Sequence, residues 1–284
     1  MLIPFDYIKF DNIKNASSFL KEHDGEAHIL AGGTDVIIKV RARKIKPKYL
    51  VDIKGIKDLK GIKKVDDKVI IGALTTVNEI VENEYIEDYF PVLKEGAATL
   101  GDYEIRNRAT IGGNICNASP SADTVLPLLV YNARIKVASC EGEREEDLDK
   151  FFKGPGKVNL APGEILKEII LDIPKVPTKG RFFRVSRVDG MDLASLNMAI
   201  LVIDPDDVQK REVRISIGAV SPTPLRIYEL ERFLSGKEFN KETFDAAKEI
   251  LLNALKPREG SLRASPFYKK MMAVNYLSWL FEEI

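Results

Sequence analysis

The sequence predicts an α+β fold built in three pieces. Short β-branched runs alternate with segments of helical spacing, KVPTKG at 175–180 sets Pro and Gly between two differently patterned regions, and the strands after it precede a block of helices. The chain has 284 residues, 45% hydrophobic and 30% charged, enough apolar material for sizeable cores. Its 43 Lys and Arg balance 43 Asp and Glu, and nucleic acid is not an expected partner, because phosphate binding needs a surplus of cations on one surface. Cys116 and Cys140 are too few for a four-cysteine zinc site or a cysteine-ligated iron–sulfur cluster within the chain. No apolar run reaches the length of a membrane span, and MLIPFDYIKF lacks the basic-then-apolar pattern of a signal peptide, so the cytoplasm is the expected location.

The first piece, 1–55, reads as a βαβ-like unit: a helix over 15–23 capped by Asn15, a strand over 28–31, a Gly turn, a helix capped by Asp35 and ended by Lys46-Pro47, and a strand over 49–53. The second, 56–175, has strands over 68–74, 134–139 and 165–173, with helices over 76–83 and 120–132. The third, 180–284, has strands over 181–188, 194–203 and 213–220, then helices over 228–234, 241–255 and 266–281.

Two glycine turns carry the chemistry: Ala31-Gly32-Gly33-Thr34-Asp35 and Thr110-Ile111-Gly112-Gly113-Asn114. Residues without Cβ let backbone amides approach an anion, and two such turns that converge can clamp a pyrophosphate from both sides. Taken singly, either pair reads as an ordinary tight turn. Their spacing is unlike a G-x-G-x-x-G fingerprint, so a dinucleotide bound here is not held by a Rossmann fold.

The segments LAGGTDV, GALTTVNEI, IRNRATIGGNICNASPSADTVLPLL, APGEILKEIILDIP, SRVDGMDLASLNMAI, SIGAVSPTPLRI and SLRASPFYKKMMAVNYL follow one another in the order of a known family. Through them the chain resembles the FAD-binding medium subunit of the molybdenum hydroxylases, the family of xanthine dehydrogenase and carbon monoxide dehydrogenase. The resemblance implies a PCMH-type FAD-binding fold, with two N-terminal α/β subdomains plus a C-terminal antiparallel-sheet-and-helix domain. It implies non-covalent FAD, with Ile29, Leu30, Ala31, Gly32, Gly33, Thr34, Asp35 and Val36 forming the first cofactor loop and Thr110, Ile111, Gly112, Gly113 and Asn114 the second. Leu100, Asp123 and Leu166 are implied as further contacts, with Arg184 where relatives place a Lys near the flavin ring and Phe182 or Phe183 where some place a Tyr. A molybdenum cofactor and [2Fe–2S] clusters are expected only on partners, a large and a small subunit respectively, in a dimer of heterotrimers. Electrons would pass from the clusters through FAD to an external acceptor.

No catalytic or metal-ligating residue is assigned. His23 and His28, the only histidines, read as structural, and Cys116 as a small buried hydrophobe. Asp102, Glu104, Arg106 and Arg108 read equally as a self-paired solvated loop or as a run that brings Arg106 to cofactor or partner. The cations from Arg41 to Lys48 read as a solvent face, and Asp123 as a cap competing with a cofactor contact. Gly33→Val and Gly112→Val are expected to obstruct FAD while largely keeping the fold. Two other functions stay open on the residues alone: a self-sufficient PCMH-type flavin reductase, and a non-catalytic nucleotide-binding or assembly protein.

Overall fold

The computed structural model describes residues 4–188 and 190–284; residues 1–3 and Asp189 of the SRVDG stretch lie outside the account that follows. Strand β1 (Asp6–Lys9), helix α1 (Ile13–Glu22), strand β2 (Ala27–Leu30), helix α2 (Val36–Arg41) and strand β3 (Tyr49–Asp52) form a parallel sheet of order β1–β3–β2. β1 was not expected. It is four residues long and largely exposed, so it shows no apolar alternation. The cap of α1 is Asn12, whose Oδ1 accepts from the Asn15 amide at 2.9 Å; Asn15 itself lies within the first turn. α2 stops at Arg41, well before Pro47, because Arg43 turns into the left-handed region at φ 55°.

The second sheet is antiparallel, with order β4 (Ile62–Val65), β5 (Lys68–Gly72), β10 (Ile165–Asp172), β6 (Arg134–Ser139) and β7 (Gly142–Asp147). Between β5 and β6 run α3 (Val77–Glu82), α4 (Glu84–Tyr89), α5 (Pro91–Ala98), α6 (Tyr103–Arg106), α7 (Ile111–Asn117) and α8 (Val125–Val130). A helical turn α9 (Leu148–Phe151) and a small hairpin, β8 (Phe152–Gly154) and β9 (Lys157–Val158), follow β7. Thr76 and Glu79 close a capping box on α3. The helix expected over 120–132 is only α8, six buried residues, and 120–124 is a loop. That difference places Asp123 outside any helical cap.

The third sheet is an antiparallel meander, β11 (Thr178–Val185), β12 (Leu196–Ile203), β13 (Glu212–Gly218) and β14 (Leu225–Arg226), followed by α10 (Tyr228–Leu234), α11 (Lys241–Ala254) and α12 (Pro266–Glu283). β12 is buried on both faces. Leu196, Met198, Ile200 and Val202 join the core under the C-terminal helices, while Ala199 and Leu201 join the core of the second sheet. A strand covered on both sides reads as a continuous apolar run. α8 ends inside this seam, where its last carbonyls accept from Ser216 Oγ (Leu126 O, 2.8 Å), Arg226 Nη1 (Leu129 O, 2.7 Å) and Arg214 Nη1 (Val130 O, 3.2 Å). Side chains of the third sheet thus add donors to the end of α8, where Leu129 O also accepts from the Asn132 amide at 3.0 Å. Among the described residues no helix is long and apolar enough to cross a membrane.

Replacing Asn12 by Ala is expected to lower stability by about 1 kcal/mol, against less than about 0.5 kcal/mol for Asn15→Ala, as measured by urea denaturation.

Candidate functional site

Strand β2 runs directly into the first glycine turn. Gly33 adopts φ +86°, a conformation that L side chains rarely take. At Gly32 the demand is contact: a Cβ there would lie 1.8 Å from the carbonyl oxygen of Arg108 and 2.7 Å from its carbon. The first turn therefore rests, backbone on backbone, against the residues that lead into the second. The amides of Gly32, Gly33, Thr34 and Asp35 donate to no acceptor among the described residues. Asp35 stands at the head of α2 without a capping bond from its side chain. Ile29 and Ala31 pack on the small apolar core of this unit, and Leu30 reaches under Gly33.

The second turn is built differently. Thr110 Oγ1 accepts from the Gly113 amide at 3.1 Å, and the amides of Ile111, Gly112 and Asn114 donate to Thr75 O, Ala73 O and Thr110 O at 2.9–3.0 Å. Its donors are engaged internally, so it offers a ligand its surface and side chains instead of its amides. This corrects the expected two-sided amide clamp. Gly112 is required by packing, since a Cβ would fall 2.6 Å from that of Ala73 and 2.7 Å from its carbonyl oxygen, so a Val here would strain the junction with the second sheet as well as obstruct a ligand. Two side-chain bonds brace the pair of turns: Lys39 Nζ of α2 donates to Asn117 Oδ1 of α7 at 2.5 Å, and Thr124 Oγ1 to Asn114 Oδ1 at 2.8 Å. Lys39 was not singled out from sequence.

Asp123 lies in the loop before α8, which Thr124 and not Asp123 heads. Its Oδ1 accepts from Asn197 Nδ2 of β12 at 2.8 Å and has Arg184 Nε of β11 at 3.6 Å. Burial pushes the carboxyl up to about 6, with Arg184 and then Asn197 pulling it back. Arg184 also donates to Ser186 Oγ at 3.2 Å and to the Asp192 carbonyl. Asn197 was visible in the sequence only as an interruption of an apolar strand.

The remaining expected residues fall into place more quietly. Leu100 packs on the second sheet's core, and buried Leu166 sits at the irregularity in the β10–β6 register. Phe182 is buried in that same core, and Phe183 stacks on Tyr276 with ring centroids 4.8 Å apart, so both rings are already taken up by packing. Asp102 caps α6 through the Ile105 amide, while Arg106 donates to Asn78 Oδ1 and to the carbonyls of Ala98, Leu100 and Gly101. Arg106 is thus a brace of its own loop, neither self-paired with neighbouring carboxylates nor turned to a ligand. Burial pushes the Cys116 thiol up to about 12. His23 packs against Phe19 and Tyr49, and burial followed by the Lys39 charge lowers the pKa of His28.

A glycine turn of unpaired amides, laid against the second unit of an α+β fold, offers an anionic ligand a seat that is not of Rossmann type. Residues 3–175 match the family model described as the FAD binding domain in molybdopterin dehydrogenase, and 181–284 that of the CO dehydrogenase flavoprotein C-terminal domain. The chain belongs to the family of FAD-binding medium subunits of the molybdenum hydroxylases. It is 33% identical over 248 residues to the xanthine dehydrogenase FAD-binding subunit of Escherichia coli O157:H7, covering 86% of this chain and 84% of that one. It is 29% identical to the glyceraldehyde dehydrogenase medium chain of Sulfolobus acidocaldarius over 99% of this chain and 98% of the relative. A solved carbon monoxide dehydrogenase from Hydrogenophaga pseudoflava superposes with a TM-score of 0.91 at 30% identity, over 97% of this chain and 95% of that one. These matches do not favour a self-sufficient reductase or a nucleotide-binding protein without redox function.

Gly112→Val is expected to destabilise the FAD-free chain by about 1–3 kcal/mol in urea denaturation, through overpacking at Ala73. Asp123→Asn is expected to act in the opposite direction. A carboxyl whose folded pKa is raised loses stability as pH climbs from its unfolded value toward 6, so the Asn variant is more stable at pH 7 and its advantage vanishes near pH 4.

Proposed function

We propose that the chain is the electron-relay subunit of a molybdenum hydroxylase complex: it holds FAD non-covalently and passes electrons from [2Fe–2S] clusters of a small partner subunit to an external acceptor. The large partner would carry the molybdenum cofactor, in a dimer of heterotrimers, with the chain itself divided into units 1–55, 56–175 and 180–284. The observation that carries the reading is the run of four unpaired amides, Gly32 to Asp35, held against Arg108. Such a run suits the diphosphate of a dinucleotide, because each N–H can meet an anionic oxygen without a side chain intervening.

The chain's own residues bind and orient. Ile29 through Val36 supply the diphosphate seat; Thr110 through Asn114 supply a wall whose position is set by the engaged amides; Leu100 and Leu166 supply apolar contact. Asp123 and Arg184 place one buried charge of each sign beside the site. Bound FAD would supply redox chemistry that couples two-electron and one-electron steps. Among the described residues no three His, Cys, Asp or Glu side chains gather as metal ligands.

Fluorescence titration of the FAD-free chain is expected to give one FAD per chain and at least about a hundredfold weaker binding of FMN, which lacks the diphosphate bridge and adenylate. Equal affinity for the two would contradict the assignment of the amide run.

A further inference from the structure

The loop 119–123 is gripped from the third sheet by a corner that the FAD-loop residues do not explain. Ala219, at φ +62°, donates its amide to Pro120 O at 2.8 Å, and its own carbonyl accepts from Lys269 Nζ of α12 at 2.7 Å. Beside this corner Asn197 is fully buried. Its Nδ2 donates to Asp123 Oδ1 at 2.8 Å and to Ser121 O at 3.2 Å, and its Oδ1 has no partner. The carboxamide cannot be reversed, since that would set oxygen against two oxygens. Gly218 leaves the room it needs, as a Cβ there would stand 2.1 Å from Asn197 Oδ1.

A buried amide with an unpaired carbonyl lowers stability, and an apolar side chain at this position of β12, on the face that carries Ala199 and Leu201 into the core of the second sheet, would cost less. What Asn197 does accomplish is to fix one oxygen of Asp123. The other, Oδ2, has no hydrogen-bond partner among the described residues and is not sealed from solvent, although Asp123 as a whole is only 8% exposed. We propose that Asn197 is a positioning residue for the cofactor, anchoring Asp123 Oδ1 so that Oδ2 is presented to a hydrogen-bond donor of FAD. The proposal rests on the FAD reading above and deepens it.

Arg184 of β11 is the charged group that faces Asp123; α7, α8 and β12 contain no ionisable carboxylate or cation, and on α5 Glu95 turns to the Phe182 amide and Lys94 to Glu87. On β13, Arg214 pairs with Glu212.

The test is a double-mutant cycle on the full chain, reading FAD affinity by fluorescence titration between pH 5 and 8, with the thermal midpoint of each FAD-free variant recorded. Asn197→Ala is expected to weaken FAD about tenfold or more, and to do so by less than about twofold in the Asp123→Ala background. It is also expected to move the acid limb of FAD binding to higher pH, because the carboxylate loses a donor. Gly218→Ala, whose Cβ would meet Asn197 Oδ1 at 2.1 Å and Pro120 O at 2.9 Å, is expected to reproduce the loss, and it carries the cycle should Asn197→Ala fail to fold. Unchanged affinity in both variants, or a loss that adds in full to that of Asp123→Ala, overturns the proposal. A wild-type chain that binds no FAD overturns the cofactor reading instead.

Discussion

Backbone meets backbone at Gly32 and Arg108, and the rest of the site depends on that contact. The parallel unit delivers one chain segment, the helices of the second sheet deliver the other, and no side chain fits between them. Glycine alone allows this approach, and the four amides from Gly32 to Asp35 have no acceptor among the described residues. Unpaired donors in such a place are costly in a resting fold and useful to one that receives an anionic ligand. Lys39 to Asn117 and Thr124 to Asn114 hold the arrangement from behind.

The third sheet closes the structure against the second and shapes the site's other end. Its polar side chains donate to the end of α8, so the loop ahead of that helix is fixed at both sides. Into this seam the fold places Asp123 with Arg184 at 3.6 Å, longer than a hydrogen bond, and an amide with a bare carbonyl. A core built for stability alone would not contain these groups. The unpaired carbonyl of Asn197 lowers local stability there.

Much of the fold was legible because its patterns are local. The central strands and the C-terminal helices follow from period and punctuation, and helix α10 has the limits its spacing predicts. β1 was hidden by its shortness and exposure, and the run of short helices from α4 to α7 by having too few turns each to show a period. The two Gly-Gly pairs look alike as letters and differ in role, because the acceptors that engage the second, Ala73 and Thr75, come from a distant part of the chain. Asn197 could be seen only as an oddity in an apolar strand, since its partner Asp123 is joined to it by tertiary packing. Family resemblance supplied the cofactor, which periodicity and spacing left open.

Amide hydrogen exchange, read residue by residue with and without FAD, tests the division of labour between the two turns most directly. The amides of Gly32 to Asp35 should exchange freely in the FAD-free chain and become protected when FAD is added, while those of Ile111 to Asn114 should be protected throughout. Protection gained at Ile111 to Asn114, with Gly32 to Asp35 unchanged, would contradict the account.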